Sequence, residues 1–217
     1  MTFRISRKDW NSDELARSVV RGNAPYWCVA LQFEPVGPHS FVVGTYGMTA
    51  SLWQDVRDQT LGANRFRDVA FDASYQFIQG SHTASLRTIF IKEKQHWNDA
   101  VVTGGLVSNS TDTLKTFRID GHNFFQRQWG GGLEYFKTTG SADDLRYNTG
   151  DALTGSCNAS PNTKGLIAEL DYLPLQDIKL AVRYTKYLEF NGARSDYTPG
   201  RSASNNNSLY LLGWILF

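Results

Sequence analysis

At 217 residues the chain is long enough for one sizeable domain. A net charge of +1 leaves no electrostatic footprint for nucleic acid, and no run approaches the ~18 apolar residues of a membrane-spanning helix. The two cysteines, Cys28 and Cys157, are too few for a disulfide framework and lack the C-x-x-C-H spacing of haem attachment, so no cofactor is expected in this chain.

Residues 1–24 differ in character from the rest. They hold no apolar h-region of a secretory signal. Asn11-Ser12-Asp13-Glu14 followed by Leu15 to Val20 predicts a short helix, and Thr2 to Arg7 reads as the end of an upstream strand. From residue 25 to 217 the signal is alternation with aromatic and β-branched residues, which predicts strands at 25–34, 40–53, 66–78, 82–95, 113–124, 129–139, 164–173, 179–190 and 208–217. The third is the clearest: Val69, Phe71, Ala73, Tyr75 and Phe77 share one face, and Asp68, Asp72, Ser74 and Gln76 the other.

The connections alternate. Short turns at 35–39, 79–81, 125–128 and 174–178 are separated by long polar loops at 54–65, 96–112, 140–163 and 191–207. With antiparallel neighbours, all turns fall at one end of the sheet and all loops at the other. That is the plan of outer-membrane barrels, whereas Greek-key sandwiches cross over. Several strands also exceed the usual five or six residues of soluble proteins and reach the length a tilted spanning strand needs.

Charges sort by parity. Asp68 and Asp72, Arg87, Arg118 and Asp120 with His122, Glu134, Glu169 and Asp171, and Arg183 all oppose the apolar residues of their strands. An Arg at mid-depth on a lipid face costs about 2–4 kcal/mol, which gives such sorting an energetic reason. A soluble sheet with one wet face would sort in the same way, so the loop alternation and the apolar C-terminus carry the discrimination. The end itself, residues 207–217, is uncharged and stops on Phe217.

Two stretches resemble the C-terminal part of porin-like outer-membrane proteins of Gram-negative bacteria, some of them named as c-type cytochromes for a haem motif near their N-terminus. They are Gly165 to Pro174, running on to Tyr184 and Phe190-Asn191-Gly192, and Gly200 to Tyr210 with the apolar end. The resemblance covers about residues 110–217. It implies an all-β, antiparallel up-and-down transmembrane β-barrel, a bacterial outer-membrane location, contact with outer-membrane lipid, and recognition by the barrel-assembly machinery through Leu209, Leu211, Ile215 and Phe217. The chain departs from that family in its missing signal peptide, missing haem motif and odd strand number. All three are expected of the C-terminal piece of a longer barrel begun at an internal Met.

Chemistry is otherwise thin. His39, His82, His96 and His122 lack metal-site spacing, Gly130-Gly131-Gly132 lacks the Lys-Ser/Thr of a phosphate loop, and Asp143, Asp144 and Asp151 lack EF-hand order. Asn109-Ser110-Thr111, Asn158-Ala159-Ser160 and Asn206-Asn207-Ser208 match glycosylation sequons that arise by chance in such loops. The carboxylate pairs Asp68/Asp72 and Glu169/Asp171 read as part of a wet wall, and no Ser/His/Asp arrangement points to an enzyme. The expected function is passive passage of small solutes through a charged lumen lined by Asp68, Asp72, Arg87, Arg118, Asp120, Glu134, Glu169, Asp171 and Arg183. One alternative is the barrel sheath of an electron-transfer conduit, with a periplasmic c-type cytochrome as partner. The other is a soluble lipocalin-like ligand binder, with apolar residues inside and charges outside.

Overall fold

A computed structural model of the chain describes residues 19–35, 37–55, 59–151 and 153–215. Alternating sequence makes strands, and the strands are β1 (Val19–Val20), β2 (Tyr26–Phe33), β3 (His39–Trp53), β4 (Ala63–Gln79), β5 (His82–His96), β6 (Thr111–Phe125), β7 (Trp129–Gly140), β8 (Thr163–Leu175), β9 (Ile178–Glu189) and β10 (Ser208–Ile215). They form one antiparallel sheet in which each strand from β3 to β10 pairs with the next in sequence. β1 and β2 lie in line along the free side of β3, with Val19 opposite Trp53 and Tyr26 opposite Met48. Between them Gly22 takes φ +70° and Pro25 brings no N–H, so the ladder breaks there. Counting that edge once, nine strands run up and down, as the alternation predicts. Among the described residues the sheet is open, with edges at β1/β2 and β10.

Only the end of the predicted N-terminal helix is described, and Val19–Val20 there are extended. Residues 2–7, the rest of that helix and Phe217 lie outside the described residues.

The short connections are tight. β4 turns into β5 through Gly80 at φ +58°, and β6 into β7 through Gln126 and Arg127 at φ 52° and 57°, closed by Gln128 N–H donating to the Phe125 carbonyl at 3.1 Å. Two successive positive φ values match the primed hairpin turn, whose twist suits the flanking strands.

Register divides the side chains into two faces. One carries Phe41, Val43, Phe71, Leu86, Phe90, Phe117, Leu133, Leu166, Leu170, Val182 and Leu211. These residues are exposed, Leu133 over 72% and Leu211 over 78% of their surface. The opposite face carries the strand acids other than Glu189, together with Arg87, Arg118 and Arg183. β10 breaks the pattern: Leu209 and Leu211 follow the apolar face, but Tyr210, Leu212 and Trp214 bring large apolar groups to the other.

Buried packing sits at the long-loop end instead. Trp97, Val101 and Val107 form a small core with Phe66 and Val102 around the helix α1 (Asp99–Thr103). Asn98 caps that helix by accepting from the Ala100 N–H at 3.0 Å. Trp97 Nε1 donates to the buried Asp112 at 2.9 Å, and the Arg146 guanidinium lies 4.7 Å from the Trp97 ring. Tyr197 is fully buried, edge-on to Phe190, and its hydroxyl accepts from Arg201 Nε at 3.0 Å and Asn206 Nδ2 at 3.1 Å. The long polar loops are therefore folded into a cap. None of the described helices is long and apolar enough to cross a membrane, which says nothing of strands.

Candidate functional site

All nine predicted polar residues, Asp68, Asp72, Arg87, Arg118, Asp120, Glu134, Glu169, Asp171 and Arg183, occupy one face by register. From β5 to β9 they join into cross-strand pairs. Arg87 meets Asp120 at 3.0 Å, and Arg118 meets Glu134 at 2.6 Å. Arg183 pairs with Glu169, Lys179 Nζ bridges Glu169 at 3.1 Å and Asp171 at 2.8 Å, and His122 Nε2 lies 2.6 Å from Asp171. Asp171 Oδ1 is buried and faces the Lys179 ammonium.

The glycine run on β7 makes this cluster possible. A Cβ on Gly132 would stand 2.4 Å from the His122 ring, and one on Gly130 would stand 2.5 Å from Phe124 and 2.9 Å from Asp171. Gly131, which faces the apolar side, leaves 3.8 Å to Leu170. On β7 side chains thus crowd the charged face more closely than the apolar one. The hollow over the charged face measures about 610 Å³ and is bounded by Arg87, Arg118, His122, Glu169, Lys179 and Arg183.

Within each pair the cation stands proud and the acid lies against the sheet. Side-chain exposure is 66% for Arg87 against 19% for Asp120, 54% for Arg118 against 14% for Glu134, and 46% for Arg183 against 11% for Glu169. A solute in the hollow therefore meets guanidinium groups first, although the pairs are neutral in sum. Nearer the loop end the same face turns acidic: Asp68 stands directly opposite Glu93, and Asp72 sits beneath Gly44 at the next strand.

Sequence reasoning passed over Lys179 and Glu93. Both follow the parity of their neighbours, Lys179 with Arg183 and Glu93 with Arg87, so the signal was present. His122, Glu169 and Asp171 are the one group among the described residues whose ligand atoms gather closely enough for a metal ion. Lys179 and Arg183 already neutralise its two carboxylates, which disfavours a further cation there. The other histidines stay apart: His39 bonds Tyr75 at 2.9 Å and His96 approaches Thr111 at 3.2 Å.

The loop acids have separate duties. Asp143 accepts backbone N–H bonds from Ser108 at 2.9 Å, Asn109 at 3.1 Å and Arg146 at 3.0 Å. Burial pushes its carboxyl up, and these donors outweigh it and hold it below the ordinary range. Asp151 is likewise held low by the Thr154 and Leu153 N–H groups, and Asp144 pairs with Asn148 at 3.0 Å. Cys28 and Cys157 are both free and exposed.

A scan against protein-family models, a search of curated proteins and a search of solved structures each returned no match to this chain.

Proposed function

We propose that the chain is wall of an outer-membrane β-barrel channel, with its apolar face to lipid and its charged face to an aqueous lumen through which small solutes pass passively. The observation that carries this reading is the height of the apolar band. On β6 it runs from Phe125 to Lys115 and on β7 from Trp129 to Lys137, ten and eight residue steps respectively. At ~3.4 Å per residue and a tilt near 40° that is about 21–26 Å, against the ~25 Å of outer-membrane barrels. Exposed apolar area of this extent is foreign to a monomer in water. A lipocalin-like binder needs the inverse arrangement of faces. Exposed Leu209, Leu211 and Ile215 along the apolar side of the edge strand β10 suit recognition by the barrel-assembly machinery.

The cation-over-acid order gives the lumen a preference for anions, because the exposed charge of each pair sets the local field. The test is conductance of the purified protein in planar bilayers under a salt gradient. An anion-selective reversal potential is expected, and the triple change Arg87→Gln, Arg118→Gln and Arg183→Gln should invert it by uncovering Asp120 and Glu134 and leaving Lys179 to neutralise both Glu169 and Asp171. A protein that stays in the aqueous phase and carries no current would sink the channel.

A further inference from the structure

The cations absent from the charged face gather on the other one. Read through the register, Arg67, Lys92, Lys94, Lys115, Lys137 and Lys186 all point to the apolar side, at its long-loop border. All are exposed. Three cross-strand pairs set like charges directly opposite each other: Arg67 with Lys94, Lys92 with Lys115, and Lys137 with Lys164. Such pairs repel and weaken a sheet. On this face of β3 to β9 the single acid is Glu189, and it is held by Lys164 at 2.8 Å. The other six have no acidic partner among the described residues.

The cations also form a line. From Arg67 on β4 to Lys186 on β9 the belt descends the register by roughly one residue per strand. With ~3.4 Å per residue and ~4.8 Å between strands that is a slope of about 35–40°. Strands in barrels tilt by 35–45°, so a belt of this slope lies close to perpendicular to the axis of a barrel whose strands lean in the same sense. The opposite border of the band is aromatic, with Phe125, Trp129 and Tyr172 in one register row and the Trp129 and Tyr172 rings 4.4 Å apart. One border is thus built for the amphipathic interface and the other for anions.

We propose that this belt is a binding site for the phosphate groups of anionic lipids in the leaflet on the long-loop side. A phosphate seated between two lysines turns each repulsive pair into a bridged one, and a level ring meets a plane of headgroups along its length. The proposal rests on the channel reading, since it needs the apolar band in a bilayer.

The test is flotation of the full chain with vesicles of phosphatidylglycerol or of phosphatidylcholine, for the native protein and for the Lys92→Gln, Lys115→Gln, Lys137→Gln variant. Because these side chains are exposed in strands and touch no core, the variant is expected to fold. Phosphatidylglycerol should bind the native protein about 100-fold more tightly than the variant, with salt eroding the difference, and a Lys→Arg version should restore it. Inorganic phosphate in solution should not compete at lipid-equivalent concentration. If native and variant enter both vesicles equally, the belt proposal falls and the channel reading stands. If neither enters either vesicle, both fall.

Discussion

Asp143 shows how much a single loop carboxylate organises. Its side chain holds the 97–110 loop through Ser108 and Asn109 while capping the short helix α2 (Asp144–Tyr147) through Arg146. Asp143→Ala leaves these donors unpaired in a buried site, which should cost the cap about 2–4 kcal/mol. Because the folded carboxyl titrates below its unfolded value of ~3.9, its contribution is complete at neutral pH. It is lost as pH falls from about 4 through the folded pKa. Amide protection factors at Ser108, Asn109 and Arg146 should therefore fall below pH 4 in the native protein. They should be low at every pH in the alanine variant. Protection that survives the substitution would show that the cap is held by Trp97 and its neighbours alone.

At the level of elements, the hairpin between β6 and β7 carries an avoidable strain. Gln126 and Arg127 both sit in the left-handed region, where a side chain costs about 1 kcal/mol or more. Replacing them with Asn-Gly should raise stability by about 1–2 kcal/mol in denaturant titration in micelles. A loss instead would mean that these side chains make contacts worth more than the strain. This turn also illustrates what a sequence yields. Flanking alternation located it between Phe125 and Trp129, while nothing in Gln-Arg announces positive φ. The same contrast holds for the first strand. A strand was legible at 25–34, but its continuation at Val19–Val20 lies beyond Gly22 and Pro25, in a stretch whose sequence predicts a short helix. Parity, a property of neighbours along the chain, exposed the two faces. The pairing of Lys179 with two acids and the rise of the arginines above their partners depend on register across strands, and no local pattern states them.

Among the described residues of the whole molecule, the packed apolar core lies in the cap and little of it in the sheet, so the surroundings of the sheet decide what a substitution there does. Leu133 lies midway between Trp129 and Lys137 and is exposed. In water Leu133→Arg should change stability by no more than about 0.5 kcal/mol. In a bilayer it should cost about 2–4 kcal/mol. Unfolding the two proteins from phosphatidylcholine vesicles separates the cases, and a null effect there would deny that lipid touches this face. The line of cations and the band height emerged only once register was known, because both are sums over many strands of steps too small to see in one.

β10 ends the sheet with bulky apolar groups on both sides, Leu209 and Leu211 on one and Tyr210, Leu212 and Trp214 on the other. Next to the ionic ladder of β5 to β9 this makes a dry flank beside a wet one. In the proposed channel, traffic past such a wall is lopsided: hydrated ions keep to the track of guanidinium groups, and the opposite shoulder serves as greasy bearing surface. On that reading a plug narrow enough to cover the track alone would silence the whole conduit.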